Sequence, residues 1–266
     1  MSTFADFLVA CREGNIRAVY RFIAKGQDLN EGDEEGCKGL MMASSYNHLN
    51  IAKYLFRRGA NVNTANNHGS TALMGACCRG HLDVSRFLCE SGAEVNAADN
   101  LGYTALIWAC IDGHADVSRF LCESGADVNS ADGHGFTALM RACEEGQLDL
   151  SRFLCESGAD VNAVSNDRVT ALMQASVFGH LAIVQYLTEQ GADLFARFQD
   201  GYTALALAIQ FNHIAVAAYL KAEGNWQRRR SYAFVLGSIK NDVSSGRALL
   251  EVLLSEDTKR GIGSFL

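Results

Sequence analysis

Proline is missing from this chain of 266 residues. Alanine therefore stands at helix starts where proline would be common. The chain also lacks a run of roughly 18 apolar residues, the length that a membrane-crossing helix needs. Its first residues, MSTFADFLVACREGN, carry charges where a signal peptide has an apolar core. These absences predict a soluble intracellular protein, which we expect in the cytoplasm, with the nucleus as the alternative.

Basic charge is not in excess. The formal net charge is −7 at pH 7, and both signs are mixed along the chain. Surfaces that bind nucleic acid usually carry clustered Lys and Arg. The composition therefore predicts no direct nucleic-acid partner.

The nine cysteines form no C-x-x-C pair of the kind typical of zinc sites. Six of them form two series that each recur every 33 residues. These series are Cys77, Cys110 and Cys143, and Cys89, Cys122 and Cys155. We interpret both as small core side chains in a reducing compartment. The sequence therefore predicts no metal and no cofactor.

What the chain does contain is a segment of the form G-x-T-A-L-x-x-A, which recurs with a period of 33 residues. Its threonines are Thr71, Thr104, Thr137, Thr170 and Thr203. Its last alanine extends the series to seven copies, at Ala10, Ala43, Ala76, Ala109, Ala142, Ala175 and Ala208. A fixed period of this length indicates a solenoid, in which each unit stacks only on its neighbours.

The copy at Asp99–Ala131 reads as a turn followed by two short helices. We predict that Thr104 caps the first helix and that Gly113 and Gly125 end the first and second helices. The residues predicted to be buried are Leu106, Ala109 and Cys110 in the first helix, and Val117, Phe120, Leu121 and Cys122 in the second.

Two helix stops recur along the chain, and a requirement for positive φ explains both. The first stop is Gly14, Asn47, Gly80, Gly113, Gly146, Gly179 and Asn212, and the second is Gly26, Gly59, Gly92, Gly125, Gly158, Gly191 and Gly224. Arg168 stands where the other turns have glycine. We expect that turn to differ, with Asn166 or Asp167 in the left-handed conformation.

This pattern resembles the ankyrin repeat, whose signature is G-x-T-P-L-H-x-A-A, then G-H, V, L-L and G-A-D-V-N. The resemblance covers residues 1–226 and is strongest in three copies that share the string SRFLCESGA. It departs at T-P-L-H, which here reads T-A-L-M, T-A-L-I or T-A-L-A. The resemblance implies an all-α ankyrin-repeat solenoid of helix-turn-helix units with β-turn or hairpin loops.

The resemblance also implies that a partner binds on the concave face formed by the turn tips and inner helices. Positions that vary between near-identical copies place aromatic and charged side chains there, and interfaces are enriched in such residues. We predict a groove for another protein or peptide on a monomeric chain, the alternative being that the rings pack between copies. The predicted residues are Tyr46, Leu101, Tyr103, Trp108, Phe136, Arg141, Glu144, Glu145, Phe178, Tyr202 and Phe211.

Asparagines recur in the long loops, where we expect their side chains to hydrogen-bond the loop backbone. In eukaryotic ankyrin repeats the equivalent asparagine can be hydroxylated by an oxygenase, so the resemblance implies candidate modification sites. They are Asn63, Asn96, Asn129 and Asn162, and each has a leucine eight residues earlier.

The period fails after Gly224. Residues 227–266 are predicted to form a helical segment that caps the array or, alternatively, docks a partner. Arg228–Arg230 is either a nuclear localisation element or part of a solvated helix face. The predicted function is a protein-interaction scaffold or adaptor. The alternative is a nuclear regulatory cofactor that acts with a DNA-bound protein.

Motifs for catalysis are missing: the sequence has no G-x-S-x-G, no P-loop and no H-E-x-x-H. Four histidines follow the first helix stop at one repeat slot, and we interpret them as framework residues that pack between loops. They are His48, His81, His114 and His180. The sequence therefore predicts that the chain is not an enzyme.

Overall fold

The computed structural model describes residues 4–198 and 201–225, and these residues form short helices joined by turns. The helices are α1 (Phe4–Arg12), α2 (Ile16–Ala24), α3 (Gly39–Ser45), α4 (Leu49–Arg57), α5 (Ala72–Cys78), α6 (Leu82–Glu90), α7 (Ala105–Ile111), α8 (Ala115–Glu123), α9 (Ala138–Glu144), α10 (Leu148–Glu156), α11 (Ala171–Val177), α12 (Leu181–Glu189) and α13 (Ala204–Gln210). Residues 214–225 are also helical. The all-α prediction is confirmed. The predicted tail, 227–266, lies outside the described residues.

The chain divides into two compact units, Met1–Ala217 and Ala218–Leu266. In the first unit the helices come in pairs. The odd-numbered helices are first helices and the even-numbered ones are second helices. Each first helix from α1 to α11 packs against its own second helix, and the first helices of neighbouring copies, from α1 to α13, pack against one another. The described part of the second unit, residues 218–225, is helical.

Threonine starts the first helices from α5 onward. The Thr104 hydroxyl oxygen accepts a hydrogen bond from the Ile107 N–H at 3.3 Å, and Thr71, Thr137, Thr170 and Thr203 make the same bond. Such a cap stabilises a helix by roughly 1 kcal/mol. The predicted caps are therefore confirmed.

The core of the first unit consists of apolar side chains that neighbouring copies bury against one another. The leucines of the repeated motif from Leu40 to Leu172 are at most 2% exposed, and its alanines from Ala43 to Ala208 are fully buried. Leu205, in the last copy, is half-buried. Burying one leucine side chain contributes about 2 kcal/mol. Because alanine adds little volume, it lets the backbones of adjacent first helices approach closely.

The two cysteine series differ in burial. Cys77, Cys110 and Cys143 are buried, and burial raises the pKa of the Cys110 thiol to about 12. Cys89, Cys122 and Cys155 are only half-buried. The core interpretation is wrong for this second series, because each of its cysteines follows the buried leucine by one position and lies at the edge of the helix's apolar stripe.

Hairpin turns connect the copies, as predicted. Isolated β-bridges join Ala65 to Thr71, Ala98 to Thr104 and Ala131 to Thr137. Successive turns are also hydrogen-bonded to each other through the backbone, for example from the Asn100 N–H to the His68 carbonyl at 2.9 Å. The turns therefore form a continuous edge beside the first helices.

The predicted helix stops have positive φ with one exception. The first-stop residues include Asn47 and Asn212, with φ of 63° and 61°. The second-stop glycines from Gly26 to Gly191 have φ between 85° and 99°. The prediction is wrong for Gly224, which lies inside the helical segment 214–225. Glycine permits the left-handed conformation but does not impose it.

Arg168 itself takes the left-handed conformation, with φ of 65°, so the expectation that Asn166 or Asp167 would do so is wrong. The surrounding hydrogen bonds explain the outcome. The Arg168 N–H donates to the Ser165 carbonyl at 2.8 Å, and the Ser165 N–H donates to the Val169 carbonyl at 2.9 Å. The same bonds form in the glycine-containing turns, so the turn keeps its shape and the arginine carries the strain.

Replacing Arg168 with glycine is expected to raise the free energy of unfolding by about 1 kcal/mol, because a left-handed non-glycine residue costs roughly that amount. Urea unfolding followed by circular dichroism measures the change. The matched control is Gly135→Ala, which introduces a Cβ at positive φ only 2.8 Å from the Asn166 nitrogen and is expected to destabilise the chain. Equal or lower stability of Arg168→Gly would contradict this account of the turn.

Candidate functional site

The first-helix face, which we define as helices α3, α5, α7, α9, α11 and α13 with the turns before them, carries an aromatic cluster at its centre. The Tyr103 and Trp108 rings lie 4.8 Å apart. The Arg141 guanidinium lies 4.4 Å from the Phe136 ring centroid and 5.8 Å from that of Tyr103. Each of these four side chains is half-buried. The structure therefore brings four of the predicted site residues into one contact group.

Arg141 anchors this group through charged hydrogen bonds. Its guanidinium donates to Asp132 at 2.7 Å and to Glu144 at 3.0 Å, and also to the Tyr103 hydroxyl at 3.3 Å. Burial disfavours the guanidinium charge, but the bonds to Asp132 and Glu144 outweigh burial and raise the Arg141 pKa. Arg141 therefore stays charged and ties the turn, the first helix and the preceding copy together.

Trp108 is held by a similar contact one copy earlier. Its indole N–H donates to the Asp99 carboxylate at 3.2 Å, while the other oxygen of Asp99 accepts the backbone N–H groups of Leu101 and Tyr103. The tryptophan thus has a satisfied polar atom and a ring packed on Tyr103. Both interpretations of the rings apply here, since the Tyr103 ring contacts Arg141 of the next copy and both rings keep part of their surface open.

Sequence reasoning missed the acidic partners in this cluster. Asp99 and Asp132 occupy the same turn position, and each lies nine residues before the side chain that it binds, Trp108 or Arg141. Gln174, in the same slot of the next copy, donates to Glu144 at 3.4 Å. The separation of nine residues between each aspartate and its partner recurs in two copies, and this pattern in the sequence could have identified both contacts.

Other predicted residues lie at the ends of the first helices and are exposed. We use the name C-cap row for the residues that cap the C-termini of α3, α5, α7, α9, α11 and α13. They are Tyr46, Arg79, Asp112, Glu145, Phe178 and Phe211. In order along the row, the side chains are one aromatic, one cationic, two acidic and two aromatic. Arg79 stacks on Tyr46 at 4.6 Å, so the row begins with a cation–π pair.

Two predicted residues lie in the turns and are well exposed. Leu101 is 64% exposed and Tyr202 is 44% exposed. They lie at turn tips three copies apart, and the structure does not bring them together with the central cluster. The predicted set is therefore a central half-buried group, an exposed row of helix ends and two separate turn residues.

Histidines link each copy to the one before it. The His114 Nε2 atom lies 3.0 Å from the Cys78 carbonyl oxygen, and His48, His81, His180 and His213 make the equivalent contact. A carbonyl can only accept, so Nε2 donates. Gln147 fills the slot in its copy and bonds Ile111. The framework interpretation of these histidines is confirmed, and sequence reasoning missed His213 and Gln147.

Asparagines link each copy to the one after it. The Asn129 amide donates to the Gly158 carbonyl at 3.1 Å, and its oxygen accepts the Asp160 N–H at 2.8 Å. Asn63, Asn96 and Asn162 make the same two bonds. The expected bonding to loop backbone is confirmed, with both bonds reaching into the next copy. Hydroxylation of these asparagines stays a prediction.

The second helices carry a ladder of cations over aromatic rings that sequence reasoning also missed. Arg86 lies over Phe120 at 4.6 Å, Arg119 over Phe153 at 4.5 Å, and Arg152 over Tyr186 at 5.2 Å. The shared string SRFLCESGA contains both members of the first two contacts, because each arginine reaches the ring of the next copy. This side of the first unit is therefore uniform, in contrast to the varied first-helix face.

Within residues 4–198 and 201–225, no three His, Cys, Asp or Glu side chains are grouped as a metal ion would require. In the same residues, no helix has both the length and the apolar character needed to cross a membrane.

Comparison with known families identifies the class. A family model described as ankyrin repeats, which spans three copies, matches residues 7–99, 97–165 and 161–229. The chain therefore belongs to the ankyrin repeat family, whose members are generally protein–protein interaction modules and typically not enzymes. The count of seven copies stays a prediction. Comparison with curated proteins found no match.

Replacing Arg141 with glutamine is expected to lower the free energy of unfolding by about 2 kcal/mol, because the fully buried Asp132 carboxylate loses its cation. Urea unfolding measures the loss. The double variant Asp132→Ser/Arg141→Gln recreates the Ser165 and Gln174 pair of the next copy, so it should recover part of the stability. A double variant that is less stable than Arg141→Gln would contradict this assignment.

Replacing Asn129 with aspartate is expected to lower the free energy of unfolding by about 1 kcal/mol, because a carboxylate cannot donate to the Gly158 carbonyl. Thermal unfolding measures the change. The matched control is Asn61→Asp, since Asn61 uses only its side-chain oxygen, to accept the Asn63 N–H. If both variants lose equal stability, the lost amide donor is not the cause.

Proposed function

We propose that this chain is a protein-interaction scaffold or adaptor that binds another protein or peptide through its first-helix face. The observation that carries the proposal is the contrast between two sets of positions. Slots that bond neighbouring copies hold nearly the same residues throughout, whereas the C-cap row changes from copy to copy and is exposed at every position. Packing between copies does not explain this variation, because the side chains of the row are exposed.

The exposed side chains on this face include types that interfaces favour. Phe178 and Phe211 are 48% and 49% exposed, and Tyr46 is 39% exposed. A few aromatic anchors usually supply most of the affinity of an interface. Rigid helix ends also hold such anchors in place before binding, which lowers the entropy lost on association.

The half-buried cluster has a supporting role in this proposal. Tyr103, Phe136 and Arg141 pack against one another and fix the centre of the face. Removing Tyr103 or Phe136 would therefore change stability as well as binding. The exposed residues give a cleaner test of function.

We expect the variant Leu101→Ser/Phe178→Ser/Phe211→Ser to lose protein partners while it keeps its fold, because the three side chains are exposed apolar anchors outside the buried core. The Phe178 ring stacks on His180 at 6.3 Å, but the bond from His180 to the Glu144 carbonyl remains. Pull-down of the tagged chain from cell lysate with quantitative mass spectrometry measures the loss. Circular dichroism checks the fold.

The control variant is Tyr20→Ser, a residue of similar exposure (47%) in the second helix α2, outside the first-helix face. The proposal expects it to retain the partners of the unaltered chain. If the face variant retains the same proteins at the same level, the first-helix face is not the binding surface.

A further inference from the structure

Two acidic residues of the C-cap row occupy positions that helix stability disfavours. Asp112 and Glu145 cap the C-termini of α7 and α9. The C-terminus of a helix carries partial negative charge, so an acidic group there is destabilising and a basic group is favourable. The C-caps of the second helices are neutral or basic, at Lys25, Arg58, Ser91, Ser124, Ser157 and Gln190. One residue earlier, however, α6, α8, α10 and α12 each end with a glutamate.

Neither carboxylate is neutralised by a cation within the described residues. The ion pairs found there join Arg141 to Asp132 and to Glu144. Asp112 accepts a weak hydrogen bond from the Cys78 thiol at 3.3 Å. Both residues are exposed. Their charges and the two helix C-termini therefore create negative potential at adjacent positions of the row.

The next two positions of the row are apolar. Phe178 and Phe211 cap α11 and α13 and are about half exposed. The row thus reads acid, acid, ring, ring over four successive copies. A complementary ligand would present two cations followed by two apolar side chains.

The spacing of the row favours one backbone conformation for such a ligand. Packed helices lie about 8–10 Å apart, and the row advances by one first helix per copy. A polyproline II segment advances about 9 Å in three residues and returns to the same face after each third residue. An extended β-strand instead places residues three apart on opposite faces.

We propose that the C-cap row from Asp112 to Phe211 binds a peptide segment in the polyproline II conformation, with basic residues at two positions three apart and apolar residues at the next two such positions. This inference rests on the proposed function and adds the chemistry of the partner. The basic side chains pair with Asp112 and Glu145, and the apolar side chains pack on Phe178 and Phe211.

An array of synthetic peptides of the form X-P-P-X-P-P-X-P-P-X tests the proposal, with Lys, Glu, Leu or Ser at each X. The purified full-length chain is applied to the array at low salt. We expect the order Lys, Lys, Leu, Leu, in one direction of the peptide or the other, to bind about tenfold more strongly than Glu, Glu, Leu, Leu. Raising the salt should weaken this preference, because exposed ion pairs are screened.

A charge-reversal variant makes the test specific. Asp112→Lys/Glu145→Lys should bind Glu, Glu, Leu, Leu in preference to Lys, Lys, Leu, Leu, and should unfold at the same or a higher temperature, because it places cations at helix C-termini. The matched control is Glu123→Lys/Glu156→Lys, which makes the same change at the exposed ends of α8 and α10. It should leave the original preference unchanged.

The proposal is overturned if no peptide binds, if the two charge orders bind equally, or if the control variant switches preference as the C-cap variant does. None of these outcomes would contradict the proposed function, which the pull-down with the face variant tests separately. Loss of partners from the face variant in the pull-down, together with failure on the array, would show that the face binds a partner of different chemistry.

Discussion

Hydrogen bonds between neighbouring copies are the constraint on which this structure depends. A single helix pair cannot bury its apolar stripe alone, so each copy must be held at a fixed distance from the next. The histidine contacts join residues 36 apart, and the asparagine amide contacts join residues 29 apart. Both offsets hold only while the repeat length stays at 33 residues. The period in the sequence is therefore the consequence of bonds that cross between copies.

The same constraint separates structural positions from positions that can vary. Threonine caps, positive-φ stops, buried alanines and bridging asparagines cannot change without loss of a bond or of packing. The C-cap row lies just before the first stop, where every side chain is exposed and its contacts differ from copy to copy. Four neighbouring copies therefore carry acid, acid, ring and ring at one geometric position, and this variation on a constant framework carries the proposed function.

Most of the fold could be predicted from local chemistry repeated at one period. Thr104 as a cap, Gly113 as a stop and Leu106 as a core residue each follow from a short stretch of sequence. The conformations of Arg168 and Gly224 could not be predicted in this way. Hydrogen bonds in the turn hold Arg168 at positive φ although it is not a glycine, whereas Gly224 continues a helix although it is one. Half-burial of Cys122 depends on the edge of an apolar stripe, which a periodic pattern locates only to within one residue.

The candidate site was predicted less completely. The sequence placed Tyr103, Trp108, Phe136 and Arg141 on one face, but it did not reveal that Arg141 reaches Tyr103 of the preceding copy and joins the two pairs. Asp132 was missed because its role depends on a partner nine residues away on another element. The Arg119 and Phe153 contact was missed because the two residues belong to identical strings in different copies, so neither copy alone shows it.

Native-state hydrogen exchange of the amides that join successive turns tests the central claim most directly. The amides are those of Asn67, Asn100, Gly133 and Asn166, each bonded to a carbonyl of the preceding turn. If bonds between copies hold the stack together, these amides exchange as slowly as the helical amides beside them. Exchange at the rate of unprotected loop amides, with the helices still protected, would contradict the account.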